Sequence, residues 1–299
     1  MLLSEFADYF EALSKHDLRP STLESVYRPA FQSFIAICGD RRLSEYSVRD
    51  IETYKAERLK TCSPVTFNIA FRTLKAAFNH AVRWELIQEN PFSRLKQVRV
   101  PEKLPVHFTR EEFERFIAAV REPVLKDLFI FAALTGMRQG EIINLQWSNI
   151  GFDQRLIQVT NQDGFLTKTG RSRMIPMNDN VFELLKKLKI QSDGCMNVFN
   201  REGEKLSQSY VEHKFKYYVR SAGLKDDLKF HSLRHTFATW LVQNGASIYE
   251  VQKLLGHSDI KTTQIYAHLM ASELHSTVNR ISFPSIPSSE VQKRSAHTN

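Results

Sequence analysis

The sequence predicts a mainly α-helical protein of two domains, in which an all-helical N-terminal domain precedes a mixed α+β domain with a small antiparallel sheet. Apolar residues recur at helical spacing through roughly the first hundred residues and again through most of the second half. Between these regions, one segment alternates apolar and polar residues, as short strands do. A length of 299 residues lets each domain bury its own core.

Four helices are expected in the N-terminal domain, which we place at residues 1–97. The first three run near Leu2–Leu13, Thr22–Cys38 and Val48–Leu59. Ser47 with Asp50 resembles a capping box ahead of the third helix. The fourth begins at Ser63-Pro64 and extends to Leu86, with a basic flank beside its apolar stripe. That flank, which either faces solvent or lies along a phosphate backbone, consists of Arg72, Lys75, Asn79 and Arg83.

The helical pattern breaks from Asn90-Pro91 to Pro105, which is typical of an interdomain linker, and we place the linker at residues 98–108. The second domain, residues 109–281, opens with Thr109 as a helix cap. LKDLFIFAAL is apolar on all sides and predicts a buried helix, and RLIQVTNQDGFLTKTGRSRMIPM predicts two or three antiparallel strands. The rest is helical to about Ile281, and the Ser- and Pro-rich residues 282–299 are expected to form a mobile tail.

Composition narrows the class of protein. A net charge of +8 with a pI near 9.3 is compatible with a polyanionic partner. Three widely spaced cysteines fit neither a disulfide framework nor a paired zinc motif. No stretch approaches the roughly 18 apolar residues of a membrane span, and the N-terminus lacks the basic start of a signal peptide. We therefore expect a cytoplasmic protein without a membrane partner.

Two arginines occur where helices are expected to begin. In LTGMRQGEI, Arg138 falls in the predicted first turn, where the helix dipole disfavours a cation unless an anion or a carboxylate neutralises it. Glu141 could do so as an i,i+3 partner. In KFHSLRHTFATWLVQNG, Ser232 is the expected cap, and Arg234 lies in the first turn, off the buried stripe and free to face a cleft.

Histidines stand beside the second arginine. His231 lies one turn before Arg234, and His235 follows it directly. Taken by themselves, both histidines fit a capping or core position as well as a functional one.

A third cluster lies in LLGHSDIKTTQIYAHL. Ser247 and Glu250 form a capping box for a helix that Gly256 ends, so His257 is held in the following tight turn. Tyr266 begins a helical stripe that continues through Met270 to Ile281, and this spacing by itself favours a buried aromatic residue.

Together these groups indicate a phosphate site. Two guanidinium forks could hold one phosphodiester and neutralise the charge gained in its transition state. A tyrosine hydroxyl is then a suitable nucleophile, and Lys168, at a predicted hairpin tip, could protonate the leaving oxygen. Histidine could orient groups or accept a proton. This chemistry requires no metal and no cofactor.

The ordered set of Arg138, Lys168, His231 to Arg234 in HSLRH, and the His257 to Tyr266 stretch resembles the tyrosine recombinase family, also called phage integrases. The last stretch is especially similar to Xer-type members. The resemblance spans roughly residues 105–281 and extends weakly to the N-terminal helices. It implies a helical, SAM-like core-binding domain that closes over duplex DNA with the catalytic domain.

The resemblance also implies roles for individual residues. Arg138 and Arg234 would bind the scissile phosphate, and His257 would support them. His231 would assist proton transfer at the nucleophile, Tyr266, which would form a 3′-phosphotyrosyl link. Lys168 would be the general acid, with the nearby Arg171 and Arg173 as alternatives for that assignment.

The family works as a tetramer on two specific DNA sites and exchanges a C-terminal helix. One departure is Asn149, where an aspartate is common. The role could be integration or excision of a phage or other mobile element, or Xer-type chromosome dimer resolution. A DNA-binding regulator with an inert site and a metal-dependent nuclease are the competing classes. The nuclease is disfavoured because the histidines lack helical His-x-x-x-His spacing with carboxylates.

Overall fold

Two compact units make up the chain, Met1–Lys103 and Leu104–Asn299. The computed structural model describes residues 1–101, 104–160, 172–192 and 194–267. Each unit buries its own set of hydrophobic side chains. The predicted mobile tail, residues 282–299, lies outside the described residues.

The first unit consists of helices joined by short turns. They are α1 (Leu3–Ser14), α2 (Pro20–Thr22), α3 (Arg28–Cys38), α4 (Val48–Thr61) and α5 (Pro64–Arg83), with a 3-10 turn at Leu43–Glu45. A π-helical turn, Leu23–Tyr27, joins α2 to α3, so the single helix predicted over this region is interrupted. Pro29 has no backbone N–H to donate to the Ser25 carbonyl, which accounts for the wider turn immediately before it.

The predicted caps of α4 and α5 are present. The Ser47 N–H donates to the Asp50 carboxylate at 2.8 Å, which confirms the capping box. The Thr66 N–H donates to the Ser63 hydroxyl at 3.2 Å at the start of α5. Both helices therefore begin at the residues that the sequence indicated.

The end of α5 differs from the prediction. The helix stops at Arg83 rather than Leu86, because Glu85 has a left-handed φ of 59°. The N–H of Leu86 bonds to the Ala81 carbonyl at 2.9 Å, which closes the last turn. The apolar side chain of Leu86 packs on the core although it lies beyond the end of the helix. The apolar pattern of the sequence therefore continues past Arg83, as it would in a longer helix.

Aromatic rings dominate the core of the first unit. Fully buried members include Phe6, Phe34, Phe67, Phe78 and Phe92. The Asn90 side chain donates to the Lys75 carbonyl at 2.9 Å and accepts the Phe92 N–H at 2.9 Å. Asn90, the first residue of the segment without helical periodicity, is therefore packed against α5.

The second unit contains eight helices in its described part. They are α6 (Arg110–Ala119), α7 (Pro123–Thr135), α8 (Gln139–Ile143), α9 (Asp179–Ile190), α10 (Gln208–Ser221), α11 (Phe230–Gln243), α12 (Ile248–Leu255) and α13 (Lys261–Gln264), with a 3-10 turn at Trp147–Asn149. Phe108, at the end of the predicted linker, is buried in this unit, and its N–H donates to Thr236 at 2.9 Å.

An antiparallel sheet of three strands confirms the predicted small sheet. Its strands are β1 (Ile150–Gly151), β2 (Leu156–Val159) and β3 (Arg173–Pro176), in the order β1-β2-β3. Ile157 pairs with Ile175 across β2 and β3, and both side chains are buried. Residues 161–171 between these strands, which include Lys168, lie outside the described residues.

A second, smaller hairpin was not predicted. It pairs β4 (Asn200–Arg201) with β5 (Glu204–Lys205) in a region that the sequence indicated as helical. Glu202 and Gly203 at its tip have φ values of 55° and 83°, as a two-residue hairpin turn requires. Strands of two residues are too short for alternation to reveal them.

Gly136, two residues before Arg138, lies where α7 packs closely against α11. Gly136 ends α7 with a φ of 62°. A Cβ at this position would lie 2.3 Å from Cδ1 of Phe237 on α11. Only glycine satisfies both the left-handed backbone and the short interhelical distance.

Replacing Gly136 by Ala should lower the free energy of unfolding by about 2–5 kcal/mol, because backbone strain and overpacking against Phe237 combine. Gly223→Ala is the matched control, since Gly223 has a similar φ of 65° but open space around its Cβ position. Urea denaturation should show a loss of only about 1–2 kcal/mol for the control. Equal losses in the two variants would contradict the packing argument.

Candidate active site

Arg138 caps the start of α8. It precedes the first helical residue, one position earlier than the predicted first-turn location. Its backbone N–H donates to the Glu141 carboxylate at 2.9 Å, and its Nη1 donates to the same carboxylate at 3.0 Å. This confirms the expected i,i+3 pairing. The side chain of Arg138 keeps 20% of its surface exposed, so its guanidinium can still meet a ligand.

Glu141 is shared by a second arginine. Nη1 and Nη2 of Arg173, on β3, donate to its two carboxylate oxygens at 2.9 and 2.7 Å. Burial opposes ionisation of Glu141, but hydrogen bonding and charge from Arg173, with further help from Arg138, outweigh it and lower the pKa to about 2. Glu141 is therefore ionised, and Arg173 is engaged in a bidentate ion pair.

Arg173 also contacts the element that carries the third cluster. Its Nε donates to the Leu254 carbonyl of α12 at 3.2 Å. A Cβ on Gly256 would lie 2.6 Å from Cδ of Arg173, and Gly256 has a left-handed φ of 65°. The glycine thus allows α12 to end directly against this arginine.

Arg234 is buried rather than free to face an open cleft. The structure leaves it only 2% exposed. Its Nη1 donates to the Gly136 carbonyl at 2.7 Å, and its Nη2 donates to the Leu255 carbonyl at 2.6 Å. The guanidinium therefore joins the C-terminal ends of α7 and α12.

The helix that carries Arg234 begins earlier than predicted. α11 starts at Phe230, and Ser232 is its third residue instead of its cap. The Ser232 hydroxyl accepts the Lys229 N–H at 3.1 Å. Arg234 consequently lies at the start of the second turn, where its side chain points to the ends of α7 and α12.

The three arginines create an excess of positive charge. Burial, followed by the nearby charges of Arg138 and Arg173, lowers the pKa of Arg234 to about 9. It remains a cation at neutral pH. Arg138 and Arg173 share the carboxylate of Glu141, and Arg234 donates only to backbone carbonyls, so the cluster favours a bound anion such as a phosphodiester.

His257 lies in the predicted turn. Gly256 ends α12 in the left-handed conformation, and the Ser247–Glu250 capping box at the start of α12 is present. Nδ1 of His257 is 2.8 Å from the Thr263 hydroxyl. Burial, followed by the charges of Arg234 and Arg138, lowers the pKa of His257 to about 4. The neutral ring can donate one N–H to an anion.

Tyr266 is both packed and hydrogen-bonded. It is 2% exposed, and its ring belongs to a small apolar cluster that includes Phe237, Val251 and Leu255. Its hydroxyl lies 2.5 Å from Nδ1 of His235. Burial raises the pKa of Tyr266 to about 12, although the charge of Arg234 opposes this shift. The stripe predicted from Met270 onwards lies outside the described residues.

The histidine that contacts Tyr266 is His235. His231 is exposed one turn earlier on α11, and the centroids of the two imidazole rings are 4.8 Å apart. The sequence left His235 open between a capping or core position and a functional one, and assigned it no role in the site. Its position next to Arg234 carried no spacing signal, because its partner is 31 residues away.

Of the three residues considered for the general acid, the structure describes only Arg173. Lys168 and Arg171 lie outside the described residues, whereas Arg173 occupies the ion pair with Glu141. A guanidinium held by this bidentate ion pair is poorly suited to give up a proton. No helix in the described parts of the chain is both long and apolar enough to span a membrane.

Comparisons with known proteins identify relatives of this chain. The family model described as "Phage integrase family" matches residues 107–273. Tyrosine recombinase XerA of Pyrococcus furiosus is 31% identical over 93% of this chain and 93% of the relative. Tyrosine recombinase XerD of Lacticaseibacillus casei is 26% identical over 90% of this chain and 94% of the relative.

Solved structures show the same fold. The Tn1549 transposon integrase in complex with transposon right end DNA has a TM-score of 0.79 at 21% identity, covering 94% of this chain and 99% of that one. A lambda integrase dimer bound to a core site has a TM-score of 0.75 at 21% identity, covering 88% and 97%. With the family match, these likenesses establish that the chain belongs to the phage integrase family and is a tyrosine recombinase of Xer-like type, an enzyme that cleaves and rejoins DNA.

Proposed function

We propose that this chain recombines specific duplex DNA sites through a covalent 3′-phosphotyrosyl link to Tyr266. The observation that carries the assignment is the group of three arginines with one carboxylate among them, in which Arg138 and Arg173 pair with Glu141 and Arg234 binds the Gly136 carbonyl, together with the buried Tyr266. The excess positive charge of these arginines is complementary to a phosphodiester. The attraction between the arginines and the phosphate becomes stronger as the phosphate gains negative charge in the transition state.

Each residue has a part in the proposed reaction. Arg138 and Arg234 hold the non-bridging oxygens of the phosphate, and neutral His257 donates a hydrogen bond to one of them. The Tyr266 hydroxyl attacks phosphorus and gives up its proton to a base, a step in which the resemblance implies His231, and the bond to the 5′ oxygen breaks. Lys168 protonates that oxygen, an assignment that rests on the family resemblance. The ester stores the energy of the broken bond for rejoining, and the scheme needs no metal.

Tyr266→Phe should abolish covalent attachment to DNA, because the ring remains but the attacking oxygen is lost. The measurement incubates the chain with a nicked suicide substrate in EDTA and separates protein-DNA adducts on a denaturing gel. The unaltered chain should form an adduct whose DNA-bearing peptide contains Tyr266. An adduct that persists in Tyr266→Phe would sink the assignment, and strict dependence on added divalent metal would favour a nuclease.

We further propose a homotetramer acting on two DNA sites in the nucleoid. Support comes from the lambda integrase structures, which include a dimer on a core site and a tetramer on a Holliday junction. The exposed basic residues Arg72 and Arg83 of α5 suit a phosphate backbone. Lys75, from the same predicted flank, instead donates to the Ser93 carbonyl at 3.3 Å.

Two biological roles use this chemistry, mobile-element integration or excision and chromosome dimer resolution. Xer-named relatives that match along at least 90% of both chains support the second role. The transposon integrase shares the fold, which supports the first. Mapping the DNA bound by the chain in cells separates the two, because one role places the site at a mobile-element end and the other at a chromosomal terminus.

A further inference from the structure

We propose that His235 accepts the phenolic proton of Tyr266 as the tyrosine attacks the phosphate. The proposal rests on the recombinase function above and adds a catalytic residue to it. Nδ1 of His235 is 2.5 Å from the Tyr266 hydroxyl. The family resemblance assigns proton transfer to His231, which is exposed one turn earlier on α11.

Both partners of this hydrogen bond are neutral. Burial lowers the pKa of His235 to about 4, so its imidazole is uncharged at physiological pH. Burial raises the pKa of Tyr266 to about 12, so its phenol is protonated. With the imidazole proton on Nε2, the hydroxyl donates and Nδ1 accepts, and this is the tautomer that the proposal uses. In this tautomer a lone pair of His235 points at the proton that must leave.

A weak base is sufficient for this step. The phenol does not ionise in advance, because the pKa of Tyr266 is raised and the pKa of His235 is lowered by burial. Once the oxygen begins to bond to phosphorus, however, its proton becomes far more acidic. His235 can then accept it, whereas a stronger base would ionise Tyr266 before any DNA is bound.

Charged and titratable groups around His235 disfavour its protonation until the substrate is bound. His231 and Arg234 on the same helix, and His107 before α6, all oppose a positive charge on the His235 ring. A phosphate bound at the arginine cluster supplies the compensating negative charge. The imidazolium is therefore disfavoured in the DNA-free protein and becomes accessible when the substrate is in place.

The step balances in atoms and electrons. A lone pair of the Tyr266 oxygen forms the bond to phosphorus while its proton passes to Nδ1 of His235, which becomes an imidazolium. The bond from phosphorus to the 5′ oxygen breaks, and that oxygen takes a proton from the separate acid. In rejoining, the imidazolium returns its proton to the departing tyrosine oxygen.

His235→Ala should slow adduct formation at saturating suicide substrate by about 10²–10³-fold. The ratio of the unaltered rate to the variant rate should shrink by about tenfold per pH unit between about pH 6 and 8, because the variant depends on spontaneous phenol ionisation. Titrations shared by both proteins cancel in this ratio. His213→Ala, which removes an exposed histidine of α10, should react at the unaltered rate.

Two further variants separate base catalysis from packing. His235→Asn can keep a hydrogen-bond acceptor near the Nδ1 position, so it should restore the melting temperature while remaining slow, because an amide does not accept the proton. Placing 3,5-difluorotyrosine at position 266 in the His235→Ala chain should recover much of the lost rate, because its phenol is more acidic.

Three results would contradict the role of His235 as the base. Rates of His235→Ala and His235→Asn close to that of the unaltered chain would overturn the proposal. So would a slow rate whose ratio to the unaltered rate is constant with pH and is not recovered by fluorination, since His235 would then only position the ring. Failure of the unaltered chain to form any adduct would refute the recombinase function itself, and the role of His235 with it.

Discussion

Arg234→Ala should reduce the rate of DNA cleavage by about 10²–10³-fold, because it removes a preorganised cation from the phosphate site. Binding of duplex DNA should remain within a few-fold of the unaltered value, since this buried residue contributes little to the outer phosphate contacts. Adduct formation from a suicide substrate measures the first quantity, and a gel-shift titration at fixed salt measures the second.

The expected result for Arg234→Lys is also informative. Lysine keeps the charge, but a single ammonium group cannot span the Gly136 and Leu255 carbonyls, which the guanidinium fork contacts at 2.7 and 2.6 Å. Cleavage should therefore stay well below the unaltered rate. Arg201→Ala, at an exposed position on β4, is the control and should cleave normally. A loss of binding that matches the loss of cleavage would make Arg234 a general DNA contact.

Glu141→Gln should lower the free energy of unfolding by about 3–5 kcal/mol, because it leaves Arg138 and Arg173 without their shared buried counter-charge. The side chain of Glu141 is only 2% exposed, so solvent screens the ion pairs weakly. Glu183→Gln provides the control, since Glu183 forms an exposed pair with Lys186 and should change stability by less than about 0.5 kcal/mol. Urea denaturation measures both variants.

The same carboxylate should make stability depend on pH. The folded pKa of Glu141 is about 2, below its ordinary value of 4.5. Its contribution is therefore fully present above about pH 4.5 and is lost as the pH falls through about 2, a change of about 3 kcal/mol. The stability difference between the unaltered chain and Glu141→Gln should shrink on acidification. A difference that is constant from neutral pH to about pH 2.5 would show that Glu141 carries no depressed pKa.

Local spacing predicted the parts of the site that depend on near neighbours. The pairing of Arg138 with Glu141 spans three residues, and the glycine stop at Gly256 directly precedes His257. Such features follow from the geometry of a single helix turn, which the sequence displays. The buried ring of Tyr266 was likewise predicted from helical periodicity alone.

Irregular backbone was harder to predict. The π-helical turn at Leu23–Tyr27 and the early end of α5 both occur inside apolar patterns that continue beyond the helix. In each case, a side chain outside the regular helix still packs on the core. Periodicity detects which residues are buried, whereas the hydrogen-bond pattern of the backbone depends on how they reach the core.

The sequence by itself determined the order of the main helices, the small sheet between them, the family, and the two arginines, His257 and Tyr266 as candidates. Only the tertiary structure decided what these groups contact. Arg234 meets the carbonyl of Gly136, Arg173 meets Glu141 and His235 meets Tyr266, across separations of 98, 32 and 31 residues. These contacts depend on the packing of α7, α11 and α12, and no periodicity within one segment encodes the distance between side chains on different segments.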